Sequence, residues 1–364
     1  MSHAAATNAP LHILWRVSPH LDLIQMSGLL SGMGALEARN AVSLSVEFVS
    51  AVADRRYALM ELAVTERKTG RIRNIALDFY DRADRIVPDA LRRADIYFKR
   101  QFGPETRTAA GAGQVEKIVP MGLTVAGYSP RALRHVCIAI IASLRSKEAR
   151  RARGALAGLL RRAFEEARLW ATSPAPESAL LRASDKKHGH IVFQPRLWRT
   201  NPGSRDQFDI ANEDRIATVR ALRTAFPHEQ AIGLLRNETA TQMAPELVLV
   251  EKVTTSKYHQ QLRSSLVAVN CLGLSGSVGW KFAEYLAAGN AVVSQPIEKV
   301  LLAPVVEGVH YLAYRSVDEC VDLCRRLMSD DMLSARMRAV NRQYFLDWVN
   351  PPAHMAHLLK RAFS

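Results

Sequence analysis

Lys281 and Glu284 are the only charges in a segment that otherwise reads Trp280, Phe282, Ala283, Leu286 and Ala287. Set three apart, they share one face of a helix. Just ahead stands a glycine and serine loop, Gly273-Leu274-Ser275-Gly276-Ser277, followed by Val278 and Gly279. Such a loop lets the backbone come close to a ligand, and the N–H groups that open the helix attract an anion. Pyrophosphate is the natural guest of Gly276, Ser277, Val278 and Gly279. A carboxylate one turn further on suits a ribose diol, because two hydroxyls can donate to its two oxygens. The competing reading is a solvated i,i+3 ion pair worth a few tenths of a kcal/mol. Tyr258 offers a face on which a nucleobase could stack, though a helix aromatic also serves as packing.

Those residues need a frame. Ser265 to Asn270 (SLVAVN) is an apolar, β-branched run that predicts a short buried strand, and Ala291 to Ser294 predicts a second one after a glycine stop. The unit is strand, loop, helix, strand. Further strands are expected at Leu11 to Val17, Ser43 to Val52, Tyr57 to Val64, Arg71 to Leu77, His190 to Leu197, Ala231 to Leu235 and Leu247 to Val250. Interleaved with helical patterns, they predict an α/β protein. The first strand closes on Ser18-Pro19-His20, which places His20 and Asp22 beyond a strand's carboxyl end, where α/β sheets bind ligands. An acceptor-side base with its orienting partner and an ordinary pair of turn residues are both open there. His188 and His190 read as a solvated loop pair, and Ser316 with Glu319 as a capping box.

With these residues in view, the stretch Gly276 to Tyr285 and then Ala288 to Ser294 resembles the nucleotide-sugar half of GT-B glycosyltransferases of the bacterial family 1 or group 1 type. There a glycine loop, a helix carrying a Glu and an "AaGxaVvs" strand form the donor site. The resemblance implies two Rossmann-like domains facing a cleft. In much of that group two glutamates lie eight positions apart; this chain keeps the second as Glu284 and has Gly276 at the first. Phe193 to Trp198 resembles the opening of the donor domain, where a basic residue after the first strand reaches the diphosphate. Arg196 holds that place and Arg199 is the second candidate. The resemblance thus implies Arg196, Lys281 and the loop amides as the groups that stabilise the leaving nucleoside diphosphate. Ile75 to Asp81, Ala94 to Arg100 and Lys117 to Leu123 resemble successive strand ends of the acceptor domain, which would put Asp78 and Asp81 near acceptor hydroxyls. Both are also ordinary turn residues after a strand.

Composition bounds the rest. At 364 residues the prior is two domains, and 48% hydrophobic with 23% charged residues is ordinary for a globular chain. Ser173-Pro174-Ala175-Pro176 marks the expected boundary, giving an N-terminal domain over 1–175, a nucleotide-sugar domain over 181–349 and a final helix over 350–364 for which a return to the first domain is open. Four cysteines make no disulfide framework; Cys320 and Cys324, one turn apart, read as core residues. The start MSHAAATNAP has no signal-peptide pattern and no run reaches spanning length, so a cytoplasmic protein is expected. A net charge of +14 calls for anionic partners. Much of that charge lies in the helical pattern over 130–172, where arginines flank an apolar stripe, as on a helix lying at the inner face of the membrane. A core-facing helix with a solvated basic face is the alternative. No nucleic-acid motif is present, and no Asp-x-Asp pair of the kind that holds a divalent ion on a diphosphate. The expectation is therefore a metal-independent glycosyltransferase without a cofactor, using a nucleotide-sugar and a glycan or lipid-linked acceptor in bacterial polysaccharide biosynthesis. Two rivals stand beside it: an epimerase or hydrolase of the same fold, and a basic nucleic-acid or membrane binder with a degenerate site.

Overall fold

The computed structural model describes residues 9–17, 22–49, 58–111, 113–127, 188–199 and 205–364, with isolated positions between 134 and 181. His20 and nearly all of the basic segment 130–172 lie outside the described residues. The chain divides into two compact units, one of Met1–Pro176, Val300–Leu302 and Asp347–Ser364, the other of Glu177–Lys299 and Ala303–Leu346. Elements are numbered over the described residues.

In the first unit β1 (Leu11–Val17), α1 (Leu23–Ala38), β2 (Val42–Phe48), β3 (Leu59–Glu66), β4 (Ile72–Asp78), α2 (Pro88–Arg93), β5 (Ile96–Lys99), α3 (Pro104–Ala110) and β6 (Ile118–Pro120) build one sheet of order β2-β1-β3-β4-β5-β6. The pairs β1–β2, β4–β5 and β5–β6 are parallel, whereas β3 runs antiparallel to both β1 and β4. That one strand departs from an all-parallel Rossmann sheet because of its connection. The turn at Gly70, whose φ is 72°, joins β3 to β4 through a Gly70 N–H bond to the Glu66 carbonyl, too short a link for a parallel crossover.

The second unit contains β7 (His188–Val192), α4 (Arg205–Ala225), α5 (Glu238–Met243), α6 (Thr255–Ser264), β8 (Ser265–Asn270), α7 (Trp280–Ala288), β9 (Ala291–Ser294), β10 (Leu312–Ala313), α8 (Val317–Ser329) and α9 (Asp331–Tyr344). Its four strands are all parallel in the order β10-β9-β8-β7. Past β7 the sheet continues through parallel bridges, Phe193 to Ile232 and then Leu234 to Val248. The strands expected at Ala231 to Leu235 and Leu247 to Val250 are thus reduced to single bridges, the second cut short by a 3-10 turn at Pro245–Leu247. Along the sheet the chain order runs outward in both directions from β7 and β8. This is the doubly wound arrangement, with its switch point between those two strands.

Local chemistry explains these boundaries. Every residue of β8 is buried, as a central parallel strand covered on both faces requires. Helix α7 stops at Gly289, whose φ of 62° and ψ of 50° form a left-handed cap. Asn290 then pins the turn by donating to the carbonyls of Leu262 and Ser265 at 3.0 and 2.7 Å. At α8 only half of the expected capping box forms: Ser316 accepts the Glu319 N–H, but the Glu319 carboxylate reaches past Ser316 to the Arg315 N–H. The expected solvated loop of His188 and His190 is instead part of β7, with the His190 ring 3.2 Å from Glu229. Cys320 and Cys324 sit fully buried in this unit's core.

The chain ends in α10 (Pro351–Phe363), which belongs to the first unit. Met355, Leu358, Leu359 and Ala362 enter the same core as Met26, Leu29, Leu30 and Met33 of α1. Close approach is possible because α1 carries glycine where it meets backbone. A Cβ on Gly28 would lie 2.2 Å from the Val125 carbonyl oxygen, and one on Gly32 equally close to that of Pro351. Helix-interior glycine costs about 1 kcal/mol relative to alanine, and here the packing distance explains why it is present. Among the described residues no helix is long and apolar enough to cross a membrane.

Candidate functional site

The carboxyl ends of β7 and β8, on either side of the switch point, carry the polar groups of the second unit. After β7 the chain passes through buried Gln194 and Pro195 and exposes Arg196 and Arg199. Helix α4 holds this loop from below. Asn212, fully buried, accepts from the Trp198 N–H at 2.9 Å and donates to its carbonyl at 2.8 Å. Arg215 binds both strand ends at once: its guanidinium donates to the Arg196 carbonyl at 2.6 Å, to the Leu272 carbonyl at 3.1 Å and to Cys271 Sγ at 3.2 Å, and stacks 3.6 Å from the Trp198 ring. Neither Asn212 nor Arg215 was singled out from sequence. The available signal was their position on the stripe continued by Val219 and Leu222, where a soluble helix buries apolar residues.

After β8 the glycine loop closes on itself, with the Gly273 N–H bonded to the Ser277 carbonyl at 2.7 Å and the Ser277 N–H to Leu274 at 3.1 Å. Ser275 and Gly276 both adopt positive φ, 55° and 67°. The loop delivers Gly279 as N-cap of α7, where no side chain caps the first turn and a Cβ would meet nothing within 4 Å. The first N–H groups of that helix thus have no side-chain cap, and the helix dipole places partial positive charge there.

Lys281 and Glu284 follow on one face of α7. The Lys281 ammonium donates to the Gln194 carbonyl and sits 5.2 Å from the Tyr258 ring centroid. Burial pulls Lys281 below the ordinary lysine range; the Glu284 charge opposes that fall, while Arg215 and Arg196 add to it. Burial likewise lifts the Glu284 carboxyl towards neutrality, against the pull of Lys281 and Tyr258. The Tyr258 hydroxyl, itself pushed up by burial, faces Glu284 and Tyr285 but makes a well-formed hydrogen bond to neither. So Lys281, Glu284 and Tyr258 come together around α7, which follows the Gly276 to Gly279 loop, and Arg196 lies in the electrostatic surroundings of Lys281, while Arg196 and Arg199 are both exposed on the β7 loop. Three cationic groups, Arg196, Arg215 and Lys281, lie within electrostatic reach of one another. A cavity of about 610 Å³ opens beside the loop, bordered by Asp214, Arg215, Cys271, Gln295, Glu298 and Tyr314.

In the first unit Asp78, the last residue of β4, is fully buried and fully engaged. It accepts from the Lys99 ammonium at 3.0 Å, from the Tyr97 hydroxyl and from the Tyr80 N–H at 2.8 Å. Burial raises its carboxyl and lowers Lys99, each opposed by the other's charge. The expected acceptor role at Asp78 meets a carboxylate with no exposed oxygen, which is a structural placement. Asp81 is about half exposed and pairs with buried Arg100. Asp22 caps α1, accepting from the Ile24 and Gln25 N–H groups at 3.1 and 3.2 Å. Its pairing with His20 falls outside the described residues.

No protein-family model matches this sequence, and no curated protein sequence matches it. Solved structures with similar folds include HepE of Anabaena in complex with UDP and glucose, at 10% identity over 94% of this chain and 95% of that one, with a TM-score of 0.42. Another, from Listeria monocytogenes and assigned as a UDP-N-acetylglucosamine 2-epimerase, is 12% identical over 94% of this chain and 92% of its own, with a TM-score of 0.36. TarM of S. aureus shares 12% identity over 50% of this chain and a TM-score of 0.35, and this chain covers 37% of its length. These are loose likenesses, and the functional reading rests on this chain's own residues.

Proposed function

We propose that the protein is a glycosyltransferase that moves a sugar from a nucleotide-sugar to a glycan or lipid-linked acceptor. One observation carries this: Lys281 and Glu284 share helix α7, which starts uncapped at Gly279 beside the switch point of a doubly wound sheet, and Arg196 lies in the electrostatic surroundings of Lys281. The uncapped amides and the two cations suit a diphosphate, and the carboxylate suits the ribose hydroxyls. In the transfer step the bond between the anomeric carbon and the diphosphate oxygen breaks, a new bond forms to an acceptor hydroxyl oxygen, and that hydroxyl gives up its proton. Negative charge grows on the departing diphosphate. Lys281, held on the Gln194 carbonyl, and the loop amides, held by the loop's own hydrogen bonds, are in place before it grows, and with Arg196 they stabilise the transition state more than the bound donor.

Asp22 and Asp81 are the acceptor-side candidates, and the arginine-rich sequence over 130–172 suits a lipid-linked acceptor at an anionic membrane. The test is a thermal-shift panel of nucleotide-sugars, where a ligand at a hundredfold its Kd adds about 2.7 kcal/mol of stability. Release of nucleoside diphosphate that depends on an added acceptor supports transfer. Consumption of the donor without any acceptor assigns the protein to hydrolysis or epimerisation instead, and no shift with any nucleotide-sugar refutes the proposal.

A further inference from the structure

Arg215, on α4, keeps only 6% of its surface exposed, yet among the described residues no carboxylate pairs with it. Asp214 and Glu298, which share the lining of the adjoining cavity with it, are both exposed and form no ion pair with it. Its guanidinium is matched instead by the carbonyls of Arg196 and Leu272, the sulfur of Cys271 and the face of Trp198. Other long-range ties in this unit are made differently. Asn212 and Asn290 are as deeply buried but neutral, and Arg223 and Arg338 bind carbonyls while remaining partly open to water. A full charge taken out of water without an opposite charge is costly, so a tie that served the fold alone would be neutral or wet, as these are.

The three acceptors say what the tie does. The Arg196 carbonyl belongs to the loop after β7, and Cys271 and Leu272 begin the loop after β8, so one planar group fixes the ends of two paired strands against each other. Asn212, one turn earlier on the same helix, clamps both backbone groups of Trp198. The backbone from Arg196 to Trp198 is thereby set, while the Arg196 side chain stays exposed. Resting on the assignment of the diphosphate to Arg196, Lys281 and the loop amides, we infer that Arg215 is a positioning residue of the transfer reaction: it sets the Arg196 loop against the glycine loop so that both reach one nucleoside diphosphate, whose negative charge answers its own. A guanidinium can do this because its rigid fork meets several acceptors in fixed directions, which an ammonium on a flexible stem does not.

The experiment is calorimetry at pH 7.5 with UDP, GDP and ADP and with the matching nucleosides. The proteins are wild type, Arg215→Lys, Trp198→Leu, Arg196→Ala and the double variant Arg196→Ala/Arg215→Lys. Lysine keeps the charge and loses the fork, so for whichever nucleotide binds, Arg215→Lys should weaken the nucleoside diphosphate about tenfold and its nucleoside no more than about twofold. In the Arg196→Ala background the same change should cost about threefold or less, because the group that Arg215 positions is gone. Trp198→Leu removes the ring on which the guanidinium stacks without touching a charge, and should show the same split between diphosphate and nucleoside; it decides the question if Arg215→Lys does not fold. Equal losses for nucleoside and diphosphate, or a tenfold loss that persists without Arg196, overturn this inference and leave the glycosyltransferase reading standing. Absence of binding of every nucleoside diphosphate by wild type overturns both.

Discussion

Replacing Glu284 with glutamine isolates the ribose contact. Glutamine keeps the size and one carbonyl acceptor but removes the charge. Hydrogen bonds to a charged group contribute roughly 1.5 to 3 kcal/mol, and each 1.4 kcal/mol is tenfold in affinity, so the Kd for nucleoside diphosphate should rise about 12- to 150-fold. The size of the effect depends on pH. Burial raises the Glu284 carboxyl towards neutral pH against the pull of Lys281 and Tyr258, so its ionised fraction grows as pH rises through that range. Ribose hydroxyls favour the ionised form, so wild-type affinity should climb as pH rises through that range and fall at higher pH as Lys281, which burial pulls below the ordinary lysine range, loses its proton. The variant should lack the rising limb. Free-protein stability gives the opposite sign: a carboxyl raised above its unfolded value holds its proton in the native state between the two pKa values. Its contribution to stability then falls as pH rises through that window, a slope the variant also lacks. Calorimetric titration of both proteins at pH 6, 7 and 8 checks the scheme. Equal Kd values at pH 8, or a ratio that does not change with pH, would refute the ribose contact. A large loss of free-protein stability at pH 8 would show Glu284 acting instead as the structural partner of Lys281.

Changing Arg196 to alanine should lower turnover with nucleotide-sugar while leaving affinity for the uncharged nucleoside unchanged, because its partner is the diphosphate; equal losses of nucleoside and nucleoside diphosphate affinity would mark a structural arginine. Lys99→Met strands the buried Asp78 carboxylate and should cost about 3 to 5 kcal/mol in urea unfolding, whereas adding Asp78→Asn should recover part of it. Additive losses in that pair would show that the two groups do not depend on each other. Vesicle flotation should require anionic lipid, weaken with salt and drop when Arg150, Arg151 and Arg153 are changed to Glu. Equal recovery with neutral lipid would make the arginines a solvated face.

How much was legible depended on the range of the interaction. The strand, loop, helix and strand around Glu284 could be read because each part has a local cause: a β-branched apolar run, glycines where φ is positive, an apolar stripe at helical spacing and a glycine stop. The class of both units followed from the same periodicities. β3 was legible as a strand but not as antiparallel, since direction is set by how short the Gly70 turn is and by which neighbour the strand finds. The capping box at Ser316 was half legible, because the carboxylate of Glu319 had a second N–H within reach.

What only the tertiary structure decided is which polar residues share a place and which are spent. Asp78 and Asp81 look alike in sequence, three apart after one strand, yet Asp78 is consumed by Lys99 and Tyr97 while Asp81 stays half exposed. The same holds for the arginines. Arg196 and Arg215 are both basic residues near one strand, but Arg215 is turned inward to tie two strand ends together and Arg196 is left outside. A sequence records that a side chain carries charge and on what period it lies. Whether that charge meets a ligand or a buried partner is settled by long-range packing, because an unpaired buried charge costs several kcal/mol and the fold must bring a distant residue to meet it.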